Sequence, residues 1–182
     1  MRLPSFQIAK GSNLAAAARC LGSGLRFVRM ADFEALPPVP EATSAAVRAS
    51  MKANRRRDTG PERRLRSILH ARGLRFRVDL PIATGDGRPV RPDIVFTRAR
   101  LAVFVDGCYW HGCPQHHQPS KSNVAYWQAK IARNRERDRR NDLTLSRAGW
   151  AVLRFWEHDD PDAAAAAVEA AVQSGRRRAD AP

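Results

Sequence analysis

Residues 101–156 constrain the fold more than any other part of the chain. An apolar run, LAVFV (101–105), leads into a loop rich in Cys and His. A long charged segment (122–148) follows, with Val124, Trp127 and Ile131 at helical spacing, and then a second apolar run, WAVLRFW (150–156). Two strands joined through a helix cannot form a hairpin. They lie parallel, linked by a right-handed crossover. Both strands then end on the same side, which brings His158, just after the second, towards the loop holding Cys108, Cys113 and His116.

The remaining elements attach to this unit. PDIVF (92–96), the charged turn TRAR (97–100) and LAVFV form a hairpin. A tight turn there sets Asp93 opposite Val105 and beside Asp106, so two carboxylates arrive at one sheet edge. TGPERRLRSILHARG (59–73) predicts an N-capped helix with Leu65, Ile68 and Leu69 on one face and Gly73 as its stop. LRFRVDL (74–80) alternates Leu74, Phe76, Val78 and Leu80 as a half-buried strand, and residues 161–173 predict a closing, Ala-rich helix. The fold class is α/β, a mixed central β-sheet flanked by helices. Residues 1–43 mix Gly, Ser and Ala, end in LPPVPEATS and carry no sustained period, which predicts a disordered leader, with Met30 as an alternative start. Residues 44–173 make the domain, and SGRRRADAP (174–182) predicts a basic disordered tail.

Charge points to the partner. Thirty-two Lys and Arg against 18 Asp and Glu give +14 and a pI near 11.3, which suits a polyanion, nucleic acid first. No run approaches the roughly 18 apolar residues of a membrane span. The Ala15–Ala18 cluster is broken by Arg19, against a signal peptide, so a cytoplasmic, nucleoid-associated location is expected. Three cysteines make a disulfide framework a poor account, and metal binding a better one for the close pair.

Two metal sites are suggested by donor chemistry. Cys108, Cys113, His116 and His158 offer the tetrahedral S2N2 set that Zn²⁺ prefers in closed sites, with His117 as the alternative to His116. The competing account makes the cysteines core thiols and the histidines surface groups. Asp93 and Asp106, with the Val105 carbonyl, suit a hard cation such as Mg²⁺, and His111 is placed to accept the proton of an attacking water. Asp93 also reads as a solvated strand-start residue after Pro92. Glu62 has two readings: local capping from its position three residues after Thr59, or a place facing the metal.

Tyr109, Trp110 and Trp127 are candidates for stacking or wedging against bases. Lys52, Arg55, Arg56 and Arg57 are candidates for phosphate contacts. ARNRERDRR (132–140) serves phosphate contact or, more simply, a solvated helix face with pairs such as Glu136–Arg140. Asn134 and Asp138 extend the inward stripe of that helix and need polar partners, which the sequence does not identify.

RRRDTGPERRLRSILHARGLRFRV, RPDIVF, VFVDGCYWHGCP, YWQAKIARNRERDRR and GWAVLRFWEH occur in an order and spacing that resembles the very short patch repair (Vsr) DNA mismatch endonucleases, over about residues 50–160. The resemblance implies a restriction-endonuclease-like fold with a structural zinc. It also implies Mg²⁺-dependent nicking beside the thymine of a T:G mismatch, the product of 5-methylcytosine deamination, by a protein able to act as a monomer. Carried over, it makes Asp93 the metal-binding aspartate, Val105 the carbonyl ligand, His111 the water-activating histidine and Glu62 the helix glutamate near the site. Tyr109, Trp110 and Trp127 match the wedging rings, and Cys108, Cys113, His116 and His158 fall near the zinc ligands. The chain departs from the pattern at Asp106, where some members carry histidine, and at His158, where a member carries cysteine. The zinc loop is also shorter. Two other functions compete: a nuclease of the same fold with another DNA target, and a non-catalytic, zinc-stabilised DNA-binding module.

Overall fold

The computed structural model describes residues 38–42, 44–46, 48–49, 57–85 and 88–179. Most of the leader expected over 1–43 lies outside the described residues, as do Lys52, Arg55 and Arg56. The elements are α1 (Gly60–Ala71), β1 (Arg77–Val78), β2 (Ile94–Phe96), β3 (Leu101–Asp106), α2 (Cys108–His111), α3 (Val124–Arg147), β4 (Ala151–Trp156) and α4 (Pro161–Ala179). The sheet order is β1-β2-β3-β4, antiparallel across the first two pairs and parallel between β3 and β4. The crossover is therefore formed as the sequence predicts: Leu101 pairs with Ala151 and Asp106 with Trp156, so β3 and β4 end side by side.

Alternation along β2 and β3 divides their apolar residues between two faces. Ile94, Phe96, Leu101 and Val103 pack with Leu65 and Leu69 of α1 and with Ala164, Ala165, Val168 and Val172 of α4. Val95, Ala102 and Phe104 pack on the other face with Leu145 of α3, Ile82 and Val90. The sheet is thus the middle layer between α1 and α4 on one side and α3 on the other. Leu69, Ile94, Leu101 and Leu145 are fully buried, each contributing roughly 1.5–3 kcal/mol of transfer free energy.

Three expectations need correction. The hairpin pairs Ile94 with Val103, one residue off the register that set Asp93 opposite Val105. Four residues, 97–100, form the turn, with Arg100 at φ +47, and this loop length fixes the pairing. Strand β1 is only two residues long, and Val78 is 41% exposed rather than facing the core, because Asp79 takes φ +51 and ends the ladder. Finally, α4 continues to Ala179, so residues 174–179 are helix rather than tail. Gly175 is buried against the hairpin turn, where a Cβ would meet the Ala99 carbonyl oxygen at 2.5 Å. The basic residues Arg176, Arg177 and Arg178 occupy the last turn, where the helix dipole favours positive charge.

Candidate active site and metal centre

The first part of the site forms where α1 meets the hairpin. Asp93, just before β2, accepts the Val105 N–H through Oδ2 at 2.8 Å. The one-residue change of register thus leaves Asp93 touching Val105, through its side chain instead of the ladder. Glu62 is 3% exposed. Its Oε1 accepts the Thr59 hydroxyl at 2.8 Å, and its Oε2 accepts the Asp58 N–H at 2.9 Å. It ties down the residues before α1 without forming the expected capping box, since Thr59 makes no side-chain cap hydrogen bond, and its charge also reaches Asp93. Burial pushes the Asp93 carboxyl up to about 7, and the Glu62 and Asp106 carboxylates add to this, while the Val105 N–H and Arg154 oppose it. A buried carboxyl crowded by two others is an environment that a bound cation would relieve.

The second part lies on the α3 side of β3. His111, ending α2, places Nδ1 2.6 Å from Asp138 Oδ2 and 3.6 Å from Asp106 Oδ1. A carboxylate only accepts, so Nδ1 is the protonated nitrogen, and Nε2 is the one free to take a proton. Burial works to raise the Asp138 carboxyl, but the His111 hydrogen bond and the charges of His111, Arg154 and Arg137 outweigh it and hold it below the usual range. Asp106 is 8% exposed, and Arg154 Nη1 donates to both its oxygens at 2.9 Å. Burial raises this carboxyl above its ordinary value, against the pull of Arg154 and then His111. Asp106, His111 and Asp138 offer ligand atoms that lie within 4.8 Å of one another.

The third part is the Cys/His loop. Cys108 Sγ lies 3.0 Å from His158 Nδ1, and Cys113 Sγ lies 3.9 Å from it and 4.0 Å from His116 Nδ1. All four ligand atoms fall within 4.8 Å of one another. A tetrahedral zinc with two sulfur and two nitrogen ligands has ligand–ligand edges of roughly 3.3–3.8 Å, so this donor set fits such an ion in type and spacing. The His116 and His158 ring centroids are 4.1 Å apart. His117 stands outside the set, its Nδ1 buried and without a partner. Burial pushes the Cys108 thiol up to about 12, and the Cys113 thiol and Glu157 add to this. Glu157 also fixes the start of α2, accepting the Cys108 N–H at 2.7 Å. Gly112 ends α2 at φ +62, where a Cβ would meet Ile131 Cγ2 at 2.9 Å.

Tyr109, Trp110 and Trp127, all half-buried, form one cluster with ring centroids 5.2–5.8 Å apart, joined by Tyr126. Lys130 Nζ lies 5.1–5.5 Å from the centroids of Trp110, Tyr126 and Trp127. Asn134 donates to the Trp110 carbonyl at 2.9 Å, and Arg135 donates to the carbonyls of His111 and Gly112, so α3 holds the loop by its backbone. Arg57 pairs with Asp79 at 3.0 Å and with Asp58 at 3.5 Å. Among the described residues, no helix is long and apolar enough to cross a membrane.

Known proteins resolve the class of this site. The family model described as DNA mismatch endonuclease Vsr matches residues 41–118. The type II nicking enzyme V.NaeI of Lentzea aerocolonigenes is 45% identical over 159 residues, covering 87% of this chain and 88% of that protein. The chain belongs to the Vsr family. Other Vsr relatives include the type II nicking enzyme V.XorIIP of Xanthomonas oryzae pv. oryzae, 42% identical over 59% of this chain and 76% of that protein. DNA mismatch endonuclease Vsr of Escherichia coli is 39% identical over 59% of this chain and 67% of that protein. This Vsr-family member is a DNA endonuclease, a hydrolase of phosphodiester bonds.

Within this Vsr-family site, the structure brings Glu62, Asp93 and Val105 together, gathers His111 with Asp106, and closes the Cys/His set with His116 rather than His117. Sequence reasoning left Asp138 without a partner and missed Arg154 and Asp142. The signal was present: an arginine between Val152 and Trp156 in an apolar strand needs acids on the elements packed beside it, here Asp142 of α3 and Asp106 of β3.

Proposed function

We propose that this Vsr-family endonuclease nicks duplex DNA at T:G mismatches, with Mg²⁺ as its catalytic ion and Zn²⁺ as a structural one. The observation that carries the reading is the meeting of two carboxylates, Glu62 and Asp93, with the Val105 backbone at the end of β3, where the His111–Asp138 pair also lies. The relatives named as nicking enzymes and as a mismatch endonuclease support the substrate class. Asp93 and the Val105 carbonyl would hold Mg²⁺, with Glu62 beside them. The ion would stabilise negative charge on the phosphate and lower the pKa of a bound water. His111 takes a proton at Nε2 while Asp138 fixes its ring through Nδ1. Asp106, held by Arg154, supports this pair from behind.

Cys108, Cys113, His116 and His158 would hold zinc and so tie the α2 loop to the end of β4. The same loop carries Tyr109 and Trp110, which with Trp127 enter the duplex beside the mismatch, where unstacking is cheapest. Arg57 contacts phosphate, joined by Lys52, Arg55 and Arg56 from the adjoining sequence. The protein acts as a monomer on chromosomal DNA in the cytoplasm.

The test is incubation of T:G and C:G duplexes with Mg²⁺, mapping any cut. One nick confined to the T:G duplex is expected. Asp93→Ala should lower its rate by roughly 10³-fold or more, the scale of several kcal/mol of lost charge stabilisation, with the duplex still bound. Equal nicking of C:G duplex would keep the nuclease and overturn the mismatch target. Binding without cleavage under every divalent metal would instead favour a DNA-binding module.

A further inference from the structure

Arg154 is the most heavily engaged side chain near the site, and the proposed chemistry does not use it directly. Nη1 donates to both oxygens of Asp106 at 2.9 Å, and Nε donates to both oxygens of Asp142 at 3.0 Å. Nη2 lies 2.9 Å from Asp142 Oδ1, 3.9 Å from Asp138 Oδ1 and 3.5 Å from the Asp138 carbonyl. Its guanidinium carbon sits 4.2 Å from the centroid of the Phe104 ring, which limits how far the group can tilt. The side chain is 18% exposed. One planar fork from β4 therefore satisfies acids from the end of β3 and from two successive turns of α3.

This matters for His111, which has a single Nδ1–H and two carboxylates within reach, Asp138 at 2.6 Å and Asp106 at 3.6 Å. With both Asp106 oxygens committed to Arg154, the Nδ1–H goes to Asp138. Without the guanidinium, Asp106 competes for that proton. Three carboxylates beside an imidazole would also form a pocket attractive to a divalent cation.

We propose that Arg154 is a positioning residue: by occupying Asp106 it reserves His111 for Asp138, and by supplying an internal cation it keeps the Asp106–Asp138–Asp142 cluster closed to metal. The proposal rests on His111 serving as the base, and its test includes readouts that do not depend on nicking. Arg154→Met is compared with wild type for single-turnover nicking of a T:G duplex, for affinity to that duplex, for the number of bound Mn²⁺ ions, and for the His111 Nδ1–H proton resonance in metal-free protein. Nicking should fall roughly 10–100-fold, the usual cost of losing a residue that orients a catalytic group, with affinity unchanged within about twofold. The variant should bind one more Mn²⁺ than wild type, and the Nδ1–H resonance should shift or vanish.

Asp106→Asn combined with Arg154→Met removes the competing carboxylate along with the guanidinium. It should return the resonance towards its wild-type position and bind no more Mn²⁺ than wild type. The double variant also serves if the single one fails to fold. An Arg154→Met protein with wild-type rate, resonance and Mn²⁺ count would overturn the proposal, as would a folded double variant with no Nδ1–H signal. If wild type nicks no duplex, the functional reading fails, while the Mn²⁺ count and the resonance still decide the role of Arg154.

Discussion

The Cys/His cluster and the acidic cluster stand on the same edge of the sheet, drawing residues from the end of β3 and from β4 or the segment after it. Each gathers ligand atoms within 4.8 Å of one another. They differ in the source of positive charge. The acidic cluster has Arg154, bonded to Asp106 and Asp142 by both oxygens of each, and its guanidinium is held charged well above the ordinary arginine range because the three aspartates more than offset the effect of burial. In the Cys/His cluster, the thiols meet two histidine rings and the Gln115 N–H, and burial leaves Cys108 reluctant to ionise. One cluster holds a cation of its own when the chain folds. The other gathers soft ligands that an ion from solution would complete.

The largest effect should come from breaking the cluster that lacks its own cation. Cys113→Ser should lower bound zinc from about one ion per chain to a small fraction, because a hydroxyl is a poor zinc ligand. It should also cost several kcal/mol of stability, since structural zinc is coupled to folding. Metal analysis and a thermal melt of the same sample check both. A wild-type protein stripped by chelator that keeps its melting temperature would erase the contrast, because both clusters would then stand without an ion.

The contrast also explains what was legible in the sequence. The crossover could be read because two apolar strands joined through a helix have one arrangement, and that arrangement alone carries His158 to the thiols. Arg154 could not be read with equal ease. Its partners Asp106, Asp138 and Asp142 lie on two elements whose relative rotation depends on packing around Phe104 and Leu145. The hairpin was misjudged by one residue because its turn holds four residues and places Arg100 in left-handed backbone, which the run TRAR does not announce. Asp93 still reached Val105 because a carboxylate can span that error, whereas the inward side of Val78 could not survive the break at Asp79. Glu62 was given two competing readings, yet one buried carboxylate both bonds the residues that precede α1 and acts electrostatically on Asp93.

A smaller effect sharpens the acidic side. Asp138 is held below the ordinary carboxylate range in the folded protein, so its contribution to stability is present above the unfolded-state value. It is lost as pH falls through the lower, folded-state value. Asp138→Asn should therefore be less stable than wild type near neutrality, and the difference should close on acidification. Urea midpoints between about pH 7 and pH 2 measure it. A gap that stays constant across that range would mean that Asp138 contributes through packing rather than charge.

The smallest effect separates two adjacent histidines. His117 keeps its Nδ1 buried without a partner, and its ring lies 5.8 Å from that of Tyr109, tilted by 39°. Truncation removes an unsatisfied polar atom, a gain of roughly 1–3 kcal/mol, and at the same time loses ring packing of comparable size. His117→Ala should thus keep its zinc and stay within about 1 kcal/mol of wild type. His116→Ala, which removes a ring facing both His158 and Cys113, should lose much of the metal. If zinc content instead follows His117, the loop must rotate on metal binding so that the currently partnerless nitrogen turns inward. The unsatisfied Nδ1 would then be the free ligand of a site that closes only around its ion.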